Sequence, residues 1–524
     1  MTLHSPFVSR RHMIALALGA SAACVLGGCG TDEASKTVAP AEDAVAPDDS
    51  SSERADRLRM AIPVDPDGLD PQRTAAAATF EITNNLYDPL VRVTQQNEII
   101  PGLAESWDIS DDLMTLTFHL RDGVTFSNGN PCDGDAVVAS FERLKADDSP
   151  RASEYANYTF EAPDATTVVV TCDVLNVAAL SDFAYGWAAI VDTSVADTLA
   201  NQPVGTGPYQ LTSWVPQTSL VLEANPSYWG EAPLTQTVEL KVLPDITSQV
   251  SSLRAGEIDL MWASETSQVA PFEGDSAFQV LEFPMNGVQL MAMNCANEAL
   301  ADERVRQAIN LAVDKDALID TVWWGYGTKI GSHLPPVLPE YVDLSDTYGY
   351  DPEAAQELLE EAGYGDGLTL RMRLPESYPM YVNAGQVVAD ALSKVGITCD
   401  IEIVDWATWL SDVYTGRDYD LTVVGHTGRL DPVTLLARYA STSSENYFNY
   451  ANPEVDELIS AYRTELDADT RTEDVHQIQE ILATEVPALY IQTPVMVYLA
   501  SNKVHGFALY PLDIYEFKNV WIEA

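Results

Sequence analysis

From Met114 to Arg121 the side chains alternate, with Met114, Leu116, Phe118 and Leu120 apolar and Thr115, Thr117, His119 and Arg121 polar. A period of two puts each set on its own face of a strand, so a half-buried strand is expected, with His119 on the polar face. Asp122-Gly123 predicts a turn towards Val124-Thr125-Phe126. Farther along the period becomes helical. Val305, Ala308, Ile309 and Ala312 share one helical face, and Asp302 is placed to cap it. Asp351-Pro352-Glu353 opens another helix with a cap, a proline where no N–H is needed and an acid in the first turn; Leu358 and Leu359 lead to Gly363 as its stop. Asn452-Pro453-Glu454 repeats the device before Val455, Leu458 and Ile459. Strand and helix patterns alternate along the chain without an internal repeat, which predicts an α/β body and not a helical bundle or a β-sandwich.

Length changes the picture first. A chain of 524 residues exceeds what one core sustains, about 250–300 residues, so two or more lobes are expected. Charge changes it next: 28 basic residues stand against 79 acidic ones, a formal net charge of −51. Binding to nucleic acid needs clustered Lys and Arg to displace counterions, so no nucleic-acid partner is expected. The same charge disfavours docking on anionic lipid, and it favours solubility or the attraction of cationic solutes.

The first 30 residues depart from this composition, having no Asp or Glu and carrying Arg10-Arg11. The apolar run Met13 to Leu26 is shorter than the roughly 20 residues of a membrane span and ends in Leu26-Gly27-Gly28-Cys29. That pattern is a lipobox, so residues 1–28 are read as a signal peptide and Cys29 as the lipidation site, carrying diacylglycerol and palmitate-type acyl chains. Ser9 before the arginine pair and Met13-Ile14 after it resemble a twin-arginine signal, although Arg-Arg also serves as an ordinary charged leader. Residues 29–57 hold Ala, Pro, Asp, Ser and Glu with almost no large apolar side chain, and are expected to be a flexible stalk. The protein is therefore expected outside the cytoplasm, tethered to the cell membrane by lipid.

Beyond Cys24 and Cys29 there remain Cys132, Cys172, Cys295 and Cys399, with no CxxC spacing to suggest zinc or thiol redox chemistry. Cys132 with Cys172 and Cys295 with Cys399 are pairings that stay within one lobe; buried free thiols are the other reading. Catalytic motifs are absent: the chain has no HExxH, no GxSxG elbow and no Walker loop, and Pro208 breaks Gly205-Thr206-Gly207 as a dinucleotide fingerprint. No enzyme activity, resident metal or cofactor is expected.

The ordered segments Tyr87-Asp88-Pro89-Leu90-Val91, Leu103-Ala104-Glu105-Ser106-Trp107, Thr117 to Val124 and Val204-Gly205-Thr206-Gly207-Pro208-Tyr209 carry a resemblance across nearly all of the chain beyond the leader. Tyr228-Trp229-Gly230, Gly256-Glu257-Ile258-Asp259, Val305-Arg306-Gln307-Ala308-Ile309, Leu358 to Tyr364 and Asp431-Pro432 continue it. They resemble the peptide- and nickel-binding solute receptors of ABC importers, family 5. The resemblance implies a bilobal periplasmic-binding-protein-like clamp with an extra subdomain in the first lobe. It places the main first-lobe subdomain at 58–90, 204–290 and 492–524, the extra subdomain at 91–203 and the second lobe at 291–491, with the hinge near 290 and 491. It further implies a monomer that captures a short peptide or peptide-like solute, including an anionic one, and delivers it to a membrane permease. A nickel or metal-chelate receptor of the same fold, or a solute-sensing lipoprotein uncoupled from transport, are the alternatives.

In that family the ligand lies between lobes, and the loop Gly425-His426-Thr427-Gly428-Arg429-Leu430-Asp431-Pro432 is the informative one. Free-peptide receptors commonly carry an aspartate a few residues before this proline to pair with the ligand's amine. Here Gly428 stands four before Pro432 and Arg429 follows, a fork suited to carboxylate or phosphate. Asp431 is read as a substitute amine anchor or as a turn and cap residue. His426 is read as a ligand contact. Trp406 and Trp409, Trp323-Trp324, and Tyr378 with Met380 and Tyr381 are candidate cleft walls, and Tyr447 and Phe448, on a polar loop, are expected to be exposed there.

Overall fold

The computed structural model describes residues 54–524 apart from 147, 511 and 513. The expected signal peptide and Cys29 lie outside the described residues. The spine of the fold is the strand Ala488–Ser501, whose apolar sequence is buried along most of its length. Its first half pairs antiparallel with Gly287–Met293, and its second half with Leu260–Trp262 and Phe278–Pro284. One strand thus joins two halves of a twelve-stranded sheet, and the chain crosses between them twice, once after Pro284 and once near Gln492.

In one half Arg57–Ile62 lies parallel to both Leu260–Trp262 and Thr237–Val242, and Ser219–Ala224 and Tyr209–Val215 extend the edge antiparallel. In the other half Leu421–Thr427 lies between Gly287–Met293 and Leu368–Pro375, with Ile397–Val404 outermost. Gly287–Met293 is buried at every position because helices cover both faces. Met291 and Met293 pack with Glu303–Ala312, Pro352–Glu361 and Pro379–Ser393; Val288, Leu290 and Ala292 pack with Pro453–Tyr462 and Ala468–Glu485 on the opposite face.

A separate four-stranded antiparallel sheet runs Ala104–Ile109, Thr115–Leu120, Thr167–Cys172, Tyr158–Asp164. The alternation at 114–121 reads out as expected: Leu116, Phe118 and Leu120 are buried, and His119 faces outward against Asp108 at 2.8 Å. The helix Gly134–Leu144 packs on the apolar face, where Phe141 stacks on Phe160 at 4.5 Å and meets Phe183 edge-on at 5.4 Å. Such ring pairs add about 0.5–1.5 kcal/mol each to their burial.

The three expected caps form. Asp302 accepts from the Arg304 N–H, Asp351 from that of Ala354, and Asn452 from those of Glu454 and Val455. Gly363 ends its helix at φ +90°, a conformation that costs glycine nothing. The expected turn forms at Asp122-Gly123, and beyond it Thr125 makes an isolated bridge to Pro131. One expectation needs correction: the end of the segment read as a flexible stalk is paired, Arg54–Ala55 with Glu523 and Ile522, and Arg57 starts a strand. Backbone pairing and the Arg54 guanidinium 5.3 Å over the Trp521 ring hold this polar stretch, neither of which needs an apolar side chain there. Cys132, Cys172, Cys295 and Cys399 are all free thiols. Burial pushes the Cys172 thiol up to about 11 and the Cys295 thiol up to about 11, so they stay protonated at neutral pH.

Candidate functional site

The strand Leu421–Thr427 is held in register by Gly287–Met293, with Thr427 opposite Gly287. At its end the Gly428 N–H donates to the Asn286 carbonyl at 2.7 Å, and the Asn286 side-chain amide donates to the Arg429 carbonyl at 2.9 Å. A Cβ at position 428 would fall 1.8 Å from Asn286 Oδ1, so only glycine lets the chain pass this close. That turn delivers Arg429 to the wall of a cavity. Asp431 then caps the helix Pro432–Leu436: its Oδ2 accepts from the Thr434 N–H at 3.0 Å and hydroxyl at 2.8 Å, and its Oδ1 from the Tyr462 hydroxyl at 2.7 Å. Of its two expected readings, the cap is the one the geometry displays.

Residues far away in the chain grip the same loop. The Leu430 N–H donates to the Tyr185 hydroxyl at 3.1 Å, the Asn97 amide donates to the Leu430 carbonyl at 3.3 Å, and the Leu430 side chain is buried in the core that carries Phe118 and Phe141. The loop that follows one half of the large sheet is therefore seated in the core of the four-stranded subdomain.

The cavity between them measures about 770 Å³, within the usual range for small-molecule sites. From the side of the four-stranded subdomain come Tyr185 and Trp187, stacked at 4.3 Å and 7°, with the Arg151 guanidinium 4.2 Å over Trp187. Phe80 meets Trp187 edge-on at 5.6 Å. From the facing side come Arg429, Asp431, Arg438, Glu445 and Arg463, with the polar groups of Thr427, Thr434, Ser443 and Ser444. Arg429 makes no side-chain hydrogen bond or ion pair among the described residues, although the protein carries 79 carboxylates. The other use of such a side chain in an acidic protein is a structural ion pair, and none is formed by Arg429 among the described residues.

The other candidates fall elsewhere. His426 points beneath the loop: its Nδ1 meets Nε2 of His333 at 3.0 Å, its Nε2 meets the Tyr447 hydroxyl at 3.0 Å, and the two imidazoles stack at 4.8 Å. His333 Nδ1 in turn meets the Tyr439 hydroxyl at 2.7 Å, and Tyr490 donates to Tyr439 at 3.2 Å. One direction of donation, Tyr490 to Tyr439 to His333 to His426 to Tyr447, satisfies every link with both imidazoles neutral. Burial holds both histidines well below their usual range, with Arg438 adding to the effect. His426 therefore serves the core, both ring nitrogens being occupied by protein.

Tyr447 and Phe448, expected to be exposed, are each 0% exposed, a correction whose cause is the same network and the ring stacking of Phe448 on Tyr439 at 4.8 Å. Trp409 is also core, donating from Nε1 to Thr422 Oγ1 at 2.9 Å, and Trp406 stacks on it at 4.8 Å. Tyr378 and Met380 are partly exposed, but Tyr378 packs edge-on to Trp406, and none of these four lines the cavity. Trp323 is buried and Trp324 exposed as a left-handed helix cap, both away from it. Arg151, Tyr185, Trp187 and Arg438 were not foreseen. Arg438 was the findable one, since it follows the loop directly after one short helix; nothing in the sequence near Arg151 connects it with residue 429.

Comparison with known proteins places this geometry in context. The family model described as "Bacterial extracellular solute-binding proteins, family 5 Middle" matches residues 98–447. The dipeptide-binding protein of Escherichia coli K12 is 30% identical over 87% of this chain and 93% of its own. Among solved structures, HbpA2 from Haemophilus parasuis superposes with a TM-score of 0.82 at 25% identity, covering 89% of this chain and all of that one. The periplasmic binding protein DppA from Helicobacter pylori, in complex with the peptide STSA, superposes with a TM-score of 0.73 at 25% identity over 89% of this chain and 98% of its own.

Proposed function

The chain belongs to family 5 of the bacterial extracellular solute-binding proteins, and from that premise we propose that it captures a short peptide or peptide-like solute through an acidic group. The observation that carries this reading is Arg429, unpaired among the described residues on the wall of the cavity. A guanidinium presents two parallel N–H donors to a carboxylate or phosphate, and in a water-poor site that contact is stronger than at the surface. Peptide chemistry is supported by the relatives that bind peptides and by the cavity volume.

The solute touches both lobes only when they are closed, so binding shifts the population to the closed form that a permease recognises. The proposal keeps the division of lobes near residues 290 and 491, and the two passages of the chain between the halves of the large sheet, after Pro284 and near Gln492, support it. The proposal includes a signal peptide ending at residue 28, export by the twin-arginine or the general route, lipid on Cys29, a monomeric body and delivery to an ABC permease without chemical change to the solute. No helix among the described residues is long and apolar enough to cross a membrane.

The test is calorimetric titration of the copurifying solute into wild type, Arg429→Ala and Arg429→Lys, with thermal melts of the unliganded proteins. Arg429→Ala should lose on the order of 2–5 kcal/mol of binding, because an anion left unpaired in a closed cleft is penalised beyond the lost bond. Lys should restore part of it. Unchanged affinity in the Ala variant removes Arg429 from the site, and turnover of the solute removes the receptor reading.

A further inference from the structure

Arg429 is one of four arginines that line the cavity, against two carboxylates among the described residues, in a protein of net charge −51. Of these two, Asp431 is not free to receive an ammonium group. Asp431 has both oxygens engaged in capping the helix Pro432–Leu436 and by Tyr462. Glu445 is the one carboxylate paired with Arg438 among the described residues, at 3.9 Å, with its side chain 55% exposed.

Arg438 itself is 12% exposed. Its Nε donates to the Leu435 carbonyl at 2.9 Å, and its two terminal nitrogens have no hydrogen bond among the described residues. A guanidinium this buried is ordinarily forked onto a carboxylate, because desolvating a charge without a partner costs several kcal/mol. Across the cavity Arg151 pairs through one terminal nitrogen with Glu154 at 2.8 Å, while its buried Nε has no partner. Closing the clamp therefore gathers partly unmet cations from both lobes around one volume. Their mutual repulsion opposes closure until anions sit between them.

We propose that the cavity takes a solute with at least two anionic groups, Arg429 and Arg438 being separate anchors. This rests on the receptor reading above and deepens it. Two anchors on one side of the cavity and Arg151 on the other make a polyanion the bridge that stabilises the closed form, whereas a zwitterionic dipeptide brings a single carboxylate to them. The shared chemistry is that of carboxylate and phosphate, which both accept the guanidinium fork.

The experiment measures binding and thermal shift of the protein with Ala-Ala, N-acetyl-Ala-Ala, N-acetyl-Asp-Glu and fructose 1,6-bisphosphate. The acidic probes should bind at least about tenfold more tightly than either alanine peptide, since each added guanidinium contact is charge-assisted. The phosphate and carboxylate arms show which acid fits. In Arg438→Gln that advantage should fall by about tenfold or more while N-acetyl-Ala-Ala binding stays within about twofold, and Arg438→Lys should recover part of it. The Lys variant keeps the charge and guards against a folding defect in Gln. The inference is overturned by alanine peptides binding as tightly as the acidic probes, or by Arg438→Gln leaving the preference intact. Ala-Ala bound alone would leave the receptor reading standing without this inference; no binding by any probe, with no copurifying solute, would remove both.

Discussion

Asp182 lies just behind the cavity wall, where the Tyr158 hydroxyl donates to it at 2.5 Å and the Asn176 amide at 2.9 Å. Burial pushes its carboxyl up to about 7, against the pull of Tyr158, and the carboxylates of Asp431 and Glu154 add to the rise. Between about pH 4 and pH 7 the unfolded chain has lost this proton while the folded chain still holds it, so the native state binds more protons and stability falls as pH rises through that window. Asp182→Asn removes the contribution. The melting temperature of the variant minus that of wild type should therefore climb from about pH 4 to pH 7 and level off above. His333 and His426 act in the opposite sense, losing stability as pH falls below about 6.5, but they are common to both proteins and cancel in the difference. A difference that does not change with pH would mean that Asp182 is ionised throughout.

At the level of elements, the legible parts were those with local causes. Caps at Asp302, Asp351 and Asn452 and the alternation at 114–121 need only near neighbours in sequence, and they appear as expected. The site was half legible: the loop 425–432 could be singled out, but its grip by Tyr185 and Asn97, more than two hundred residues away, could not. Tyr447 and Phe448 were misjudged for the same reason, because a polar stretch of sequence hid a core position created by His426 and Tyr439. Gly428 is where local and distant causes meet. Gly428→Ala places a methyl 1.8 Å from Asn286 Oδ1 and 2.4 Å from its carbonyl, so it should cost about 1–3 kcal/mol in denaturant unfolding and weaken solute binding by moving Arg429. A variant as stable as wild type would show that the loop has room the structure does not display.

For the molecule as a whole, a cationic cavity inside a body of charge −51 separates two electrostatic roles. The outer field repels anions at long range and is screened by salt, whereas the closed cavity holds them at contact distance with little screening. Near a membrane such a receptor needs a tether, which the proposed lipid on Cys29 supplies. Cys29→Ser should move the protein from the membrane fraction to the soluble one with its fold unchanged, as read by fractionation and a thermal melt; retention at the membrane would remove the lipid claim. The central claim, that the clamp closes on an acidic solute held by arginines, is tested most directly by native mass spectrometry of the purified protein before and after mild denaturation. A non-covalent adduct should leave on denaturation and prove to carry two or more carboxylate or phosphate groups; a released solute without an acidic group would contradict the claim.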